Sequence, residues 1–446
     1  MGRHKDNPFL PYLSRRQFLY LSSLSALSLS LGCASNPVTG KRQFILVSEN
    51  EERELDRESS PHQFSSDYGA SLDKALQSYV ASVGKPIAAG THRPNMPYRF
   101  IVVNASYVNA YTFPAGSMGI TRGILLNLES EAELSSLLGH ELGHVNARHT
   151  AQRMTKNVLT SLAIASVTAY TGSEFEKYQA IAAGLGSVAA GALLAHYSRD
   201  NEREADSLGM DYMIKAGYNP GGQTDLMDML RSLSRKRPNA IEMMFATHPL
   251  GEERYQSSVR KISSLPAQVK DLPYNRERYM DNTAGLRVIS KAIDEMQNGD
   301  KFMMDQKYAE AKEHYGEALR IAPGDYAALL MMAKCQIALK DFRLARRYAE
   351  DAATVYPEEA QALHILGIAN LQLEKYEEAF DSFEKYGQVL PGNPNTVFFK
   401  GVSLEKMGKR DRAATEYITY LNKVQSGQYA EYAYKKLVEW GYVKKQ

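Results

Sequence analysis

His140-Glu141-Leu142-Gly143-His144 sits inside the segment Glu131-Ala132-Glu133-Leu134-Ser135-Ser136-Leu137-Leu138-Gly139-His140-Glu141-Leu142-Gly143-His144-Val145. Leu134, Leu137, Leu138, Leu142 and Val145 recur at three- and four-residue spacing, which predicts a buried amphipathic helix. Residues one turn apart share a face, so His140 and His144 can reach one metal ion. Glu141 lies three residues before His144, near the same face, where it can take a proton from water activated by that metal. The plain alternative is a helix with two histidines packed in a core. Residues further along the chain weigh against it.

Those residues are Ser198-Arg199-Asp200-Asn201-Glu202-Arg203-Glu204-Ala205-Asp206. On a helix, Glu202 and Asp206 lie one turn apart on one face, and Glu204 points elsewhere. A catalytic zinc takes three protein ligands and keeps an open water position. Glu202 can supply the third ligand. Asp206 can accept a hydrogen bond from a ligand imidazole and fix its tautomer. Taken alone, the stretch would read as an acidic solvated helix face. His149 is the rival third ligand, but the HExxHxxGxxH pattern would need Gly at 147 and His at 150. Ala147 and Thr150 stand there instead.

The chain has 446 residues, room for two or three domains. A net charge of +2 makes no electrostatic case for nucleic acid as a partner. Two distant cysteines, Cys33 and Cys335, exclude a disulfide framework, so a metal site has to be built from His and carboxylate. Residues 1–33 read as an export signal. Ser14-Arg15-Arg16-Gln17-Phe18-Leu19 is similar to a twin-arginine motif, or is the basic start of a general secretion signal. The apolar run from Phe18 to Leu31 ends at Leu29-Ser30-Leu31-Gly32-Cys33. That ending is similar to a lipobox with Cys33 as the lipidated residue, although Ser30 stands where Leu is preferred. Simple cleavage and an uncleaved anchor are the alternatives. Each reading places the mature chain outside the cytoplasm.

Asn36 to Arg42 is turn-rich. Ser48 with Glu51 predicts a capping box opening a charged helix. A second helix carries Leu72, Ala75, Leu76, Tyr79 and Val80 and is expected to end near Gly84-Lys85-Pro86. Strands are predicted over Tyr98–Val103, Val108–Phe113 and Ser117–Thr121. Asn109 and Ala110 are the candidate edge at which an extended substrate could pair through its backbone; a purely structural strand is the alternative. Two uncharged stretches follow, from Asn157 to Ser173 and from Tyr178 to Ser198. The second is long enough to cross a bilayer. Rich in Ala and Gly and carrying Gln179, Ser187 and His196, it reads rather as buried or membrane-touching helix.

The HExxH at 140–144, Glu202-x-x-x-Asp206, and Thr247-His248-Pro249 followed by Arg254 together resemble the gluzincin-type zinc metallopeptidases. That family includes the CAAX prenyl proteases and the bacterial β-barrel assembly-enhancing proteases. The Asn36-Pro-Val-Thr-Gly-Lys-Arg-Gln-Phe44 opening is similar to its periplasmic members. The resemblance covers about residues 36–265. It implies one zinc ion held by His140, His144 and Glu202, with Glu141 as general base and then general acid. It also implies that His248 lies near the metal and stabilises the oxyanion, or sits on the zinc as a fourth ligand in a resting state. Arg254 would hold the site's carboxylates and substrate in place.

From about residue 288 the chain repeats with a period of 34. Tyr308, Phe342 and Tyr376 form one column. Ala311, Ala345, Ala379 and Ala413 form another, and Pro323, Pro357 and Pro391 a third, each closing a helix. Ala333, Gly367 and Gly401 form a fourth. This is the tetratricopeptide period. It predicts three complete helix pairs, a degenerate fourth with Arg410 in the aromatic column, and a capping helix around Gln428–Trp440. Stacked repeats share a core and leave a concave surface suited to peptides or proteins; a spacer or dimerisation element is the alternative.

The expected architecture is mostly α with a small β-sheet. It comprises an export signal (1–33), a zincin-like metallopeptidase domain (34–280) and an α-solenoid (288–446). The expected function is an exported zinc endopeptidase. Its clients, by resemblance, are misfolded or stalled outer-membrane proteins in the periplasm, with the repeats docking clients or the assembly machinery. Membrane association would come from the lipid anchor or from residues 157–198. The competing reading is an assembly chaperone or adaptor with a largely repressed zinc site.

Overall fold

A computed structural model describes residues 33–156 and 197–444. The signal-like residues before Cys33, and the uncharged stretches from 157 to 196, lie outside the described residues. Among the described residues no helix is long and apolar enough to cross a membrane.

The described chain opens with a short antiparallel pair, β1 (Cys33–Ser35) and β2 (Arg42–Phe44), in which Cys33 pairs with Phe44. Helix α1 (Glu49–Ser66) follows, capped by Ser48 with Glu51 closing the expected capping box. Helix α2 (Lys74–Ala89) runs past the proline at which it was expected to stop. The apolar face continues through Val83, Ile87 and Ala88, all buried, which outweighs the one backbone donor missing at Pro86. Gly84 is a packing site rather than a terminator, because a Cβ there would lie 2.6 Å from the Phe100 ring.

The sheet holds β3 (Arg99–Val103), β4 (Ala110–Thr112) and β5 (Ser117–Thr121) in the order β3-β5-β4. β3 and β5 are parallel, with Arg99 opposite Ser117; β4 and β5 are antiparallel, with Ala110 opposite Ile120. β4 is shorter than predicted. Beneath the sheet runs the motif helix α3 (Glu131–Asn146), capped by Ser130 and buried along its whole length. After residue 197 come α4 (Arg199–Lys215), α5 (Gly221–Lys236), α6 (Pro238–Thr247) and α7 (Glu252–Ser264). The Ser198–Asn201 capping box starts α4.

The solenoid pairs α8 (Ser290–Met304) with α9 (Tyr308–Ile321), α10 (Tyr326–Ala338) with α11 (Phe342–Val355), and α12 (Ala360–Gln372) with α13 (Tyr376–Val389). It ends with α14 (Pro394–Lys406), α15 (Arg410–Leu421) and the cap α16 (Gln428–Glu439). The fourth pair, expected to be degenerate, is structurally complete. Arg410 opens α15 and its guanidinium lies over the Trp440 ring of the cap at 5.8 Å. The small-residue column faces rings one helix away: a Cβ at Gly367 would meet Phe383 at 2.5 Å and one at Gly401 would meet Tyr417 at 2.6 Å. Gly299 belongs to the same column, against Tyr315. At each tight turn Gln306, Lys340, Glu374 and Gly408 adopt φ between 59° and 73°. The next N–H then bonds back to the preceding helix, as Asp341 does to the Gln336 carbonyl, a Schellman closure.

Peptidase residues and the first repeats are not separable at residue 280. One apolar cluster runs from Leu76, Phe100 and Leu138 through Tyr279 and Leu286 to Ile293, Met296, Tyr315 and Met332. Polar contacts reinforce it. Arg122 pairs with Asp325 at 2.5 Å and donates to the Asn104 carbonyl, with both ions buried. Gln297 donates to the Ser106 carbonyl and Ser106 to Asp300. Removing one member of a buried ion pair strands the other without compensation and costs about 3–5 kcal/mol. Arg122→Ala is therefore expected to lower the unfolding free energy by about that amount in a urea titration. A loss under about 1 kcal/mol would show that the pair does not tie the modules together.

Candidate metal centre

Four side chains converge under the sheet. The ligand atoms of His140, His144, Glu202 and His248, all buried, lie within 4.8 Å of one another. His140 and His144 come from successive turns of α3, and their Nε2 atoms stand 3.1 Å apart. Glu202 enters from the first turn of α4. Its Oε1 is 3.3 Å from His144 Nε2 and its Oε2 is 3.5 Å from His140 Nε2. His248 ends α6 just before Pro249, with Nδ1 3.2 Å from Glu202 Oε1 and 3.4 Å from His140 Nε2.

What lets α4 approach α3 so closely is a seam of small residues. A Cβ at Gly139 would lie 2.8 Å from the Gly209 carbonyl oxygen, and one at Gly143 would lie 2.8 Å from the Ala205 Cα. Gly139 and Gly143 are one turn apart on α3, as Ala205 and Gly209 are on α4. The HExxH pattern leaves position 143 open and assigns Gly143 no role. The matching pairs of small residues at four-residue spacing were the available signal.

Asp206 lies where the helical spacing put it. Its Oδ1 is 2.9 Å from His140 Nδ1. Arg254 clamps it with Nε and Nη2, each at 2.7 Å, and reaches Glu202 Oε2 through Nη1 at 2.6 Å. Burial raises the Asp206 carboxyl, but Arg254 and His140 outweigh burial and hold it below the usual carboxylate range. Burial likewise raises Glu202, and the charge of His248, the hydrogen-bonding contacts of His144 and His248 and the charge of His140 more than reverse this, holding the carboxyl below the usual carboxylate range. His144 is pushed well down by burial, so its imidazole is neutral with a free lone pair. Burial also raises Glu141, against the pull of His248 and His140. Both Glu141 carboxylate oxygens are buried and lack a hydrogen-bond partner among the described residues, while His248 Nε2 is 3.6 Å from Oε1.

These donors fit a divalent cation. Imidazole nitrogens and an ionised carboxylate gather within 4.8 Å of one another, and the Glu141 carboxylate, which has no hydrogen-bond partner among the described residues, lies 3.6 Å from His248 in that group.

Ala110 opens the edge strand β4, beside α3, and Asn109 lies immediately before that strand. The Asn109 backbone is committed to β5: its N–H donates to Thr121 Oγ1 and its carbonyl accepts from the Thr121 N–H. Antiparallel alternation then turns the backbone groups of Ala110 and Thr112 away from β5, towards the edge. Both residues are buried. Cys33 lies in β1, in a separate two-stranded sheet. Two further residues adjoin His144: Tyr197, which the sequence did not single out, and His149, weighed there only as a rival ligand. Tyr197 stacks on the His144 ring with centroids 3.8 Å apart, and His149 reaches its Nδ1 at 2.8 Å.

The class to which this fold belongs is a metallopeptidase family: the chain belongs to peptidase family M48, which residues 74–261 match. Residues 302–366 match the tetratricopeptide repeat. Metalloprotease YcaL of Escherichia coli K12 is 32% identical over 187 residues, which cover 42% of this chain and 69% of that protein. The beta-barrel assembly-enhancing protease of the same organism is 23% identical over 277 residues, covering 57% of this chain and 56% of the relative. Mitochondrial metalloendopeptidase OMA1 of Arabidopsis thaliana is 31% identical over 183 residues, 41% of this chain and 35% of its own. The chain spans about half the length of the assembly-enhancing proteases it matches. Among solved structures, the tetratricopeptide protein YrrB aligns with 46% of this chain and 97% of its own at 16% identity and a TM-score of 0.31. Membership of a metalloprotease family implies a metal.

The seam is testable. Gly143→Val inserts a branched side chain where even a Cβ meets backbone, an overpacking that costs about 1–3 kcal/mol or more. Melting temperature and bound metal per chain are expected to fall together. A variant that melts normally and keeps its metal would refute the seam.

Proposed function

We propose that this chain is an exported zinc endopeptidase of the bacterial envelope that cleaves misfolded or stalled outer-membrane proteins. The carrying observation is the convergence of His140, His144, Glu202 and His248 beside the buried carboxylate of Glu141, which has no hydrogen-bond partner among the described residues. Relatives named beta-barrel assembly-enhancing protease support the client class. The export-like segment supports the location, with Cys33 as the residue for a lipid anchor.

His140, His144 and Glu202 hold the zinc. When bound, zinc supplies Lewis acidity and lowers the pKa of a water to about 7. Glu141 takes the proton of the attacking water and delivers it to the leaving amine; its burial keeps its proton affinity above that of a solvated carboxylate. Asp206 fixes the His140 tautomer, and Arg254 holds Asp206 and Glu202 in register. An extended client pairs with the outward backbone groups of Ala110, next to Asn109. His248 has two roles open to it. It can donate to the charge developing on the substrate carbonyl oxygen, or it can close the site as a fourth ligand in a resting state. The second role favours the adaptor reading, in which the repeats bind assembly partners and the zinc site is mostly silent.

Glu141→Gln is expected to retain one zinc per chain and to lose casein cleavage by about 100-fold or more. Full cleavage in that variant would sink the mechanism, and full restoration of envelope phenotypes by it would favour the adaptor. His248→Ala is expected to change cleavage by about tenfold or more, upward if it is a resting ligand and downward if it stabilises charge. Unchanged cleavage with unchanged zinc coordination would remove His248 from the site.

A further inference from the structure

The metal-facing nitrogens of His140 and His144 are matched by a second nitrogen on each ring that faces away. Asp206 takes that of His140. Among the described residues, the Nδ1 of His144 meets no carboxylate. It lies 2.8 Å from His149 Nδ1, and His149 Nε2 lies 3.2 Å from Glu204 Oε2. His149 and His144 are both buried, and the Glu204 side chain is about one third exposed.

Only one proton arrangement satisfies this chain with His144 Nε2 free to bind metal. His144 carries its proton on Nδ1 and donates it to His149 Nδ1. His149 must then carry its own proton on Nε2, which it donates to the Glu204 carboxylate. A neutral imidazole thus stands between the ligand and its carboxylate, where ligating histidines more often meet the carboxylate or a carbonyl directly. Helix α4 supplies three acids to the centre: Glu202 among the ligand atoms, Asp206 behind His140 and Glu204 behind His149.

The backbone goes to some length to place His149. Helix α3 ends at Asn146, and Arg148 then adopts φ of 59°, a left-handed conformation uncommon for a residue with a Cβ. Buried contacts hold it there. Arg148 Nε donates to Glu52 Oε1 at 3.0 Å and Nη2 to the Val47 carbonyl at 2.7 Å. Arg93 takes the other Glu52 oxygen at 2.7 Å and also caps α3 at the Val145 carbonyl. This turn brings His149 back against the ring five residues earlier.

We infer that His149 is a positioning residue for the metal centre. With Glu204 behind it, it locks His144 in the tautomer and ring orientation that present Nε2 to the metal. The inference rests on the reading of His144 as a ligand. Two comparisons keep the two separable. His144→Ala tests the ligand reading, and His149 variants test the inference once that reading stands.

The experiment measures zinc affinity of the full chain by competition with a chromogenic chelator, and records the visible spectrum of the cobalt-substituted form. Wild type is expected to bind one equivalent that His144→Ala loses. His149→Phe keeps the ring but cannot accept a proton, and is expected to bind zinc about 10–100-fold more weakly with an altered cobalt spectrum. His149→Gln, which can accept and donate, is expected to recover part of that loss. Glu204→Gln, at a partly exposed position that folding tolerates, is expected to weaken binding several-fold. It carries the test if His149→Phe does not fold. Zinc affinity within about twofold of wild type and an unchanged cobalt spectrum in His149→Phe, or in Glu204→Gln where that variant carries the test, would overturn the inference. If wild type binds no metal, the ligand reading fails first and the inference falls with it.

Discussion

The close passage of two helix backbones is the constraint on which the centre depends. A carboxylate 58 residues beyond His144 in the chain can share one metal with it only if α4 lies almost against α3. Gly139, Gly143, Ala205 and Gly209 remove the side chains that would keep the two apart. Burial then does the electrostatic work. In a dry site, ionised Glu202 is stable because imidazoles and Arg254 surround it. Packing and charge are therefore two aspects of one requirement: the helices must touch, and whatever they bury must be paired.

Around this contact the molecule is built as a continuous body. The sheet covers α3, and the first repeats extend the same apolar core instead of hanging from a linker. Buried polar links such as Arg122 with Asp325 cross the boundary in the same region. The first repeats are thus packed against the peptidase domain and do not hang from a tether. The repeats solve their own packing problem with a rule visible in one column. Where the small position is Gly, an aromatic ring stands sixteen residues on and fills the space; at Ala333 the partner position is Ala349.

Much of this was legible beforehand because it is local. The leucine spacing marks α3, the Ser48 and Glu51 pair marks the start of α1, and the 34-residue columns mark the helix pairs. Where local signals misled, a contact from elsewhere had intervened. Gly84 and Pro86 looked like a helix end, yet Phe100 occupies the glycine's space and the buried face carries α2 on to Ala89. Arg410 looked like a lapse in the repeat, yet Trp440 of the cap accepts it. Glu204 was set aside because helical geometry turns it away from Glu202. It does turn away, towards His149, whose place depends on a left-handed residue that no spacing announces.

By itself the sequence determined the motif helix, the pairing of His140 with His144, the one-turn relation of Glu202 to Asp206, and the solenoid. Each follows from periodicities the backbone imposes within a few residues, or from a repeat that copies one such unit. Only the tertiary structure decided which acid faces which imidazole, at which atoms His248 and Arg254 meet the group, and that His149 stands behind His144. Those relations span separations of up to 108 residues. They arise from helix approach and buried charge pairing, quantities that no local window of the chain contains.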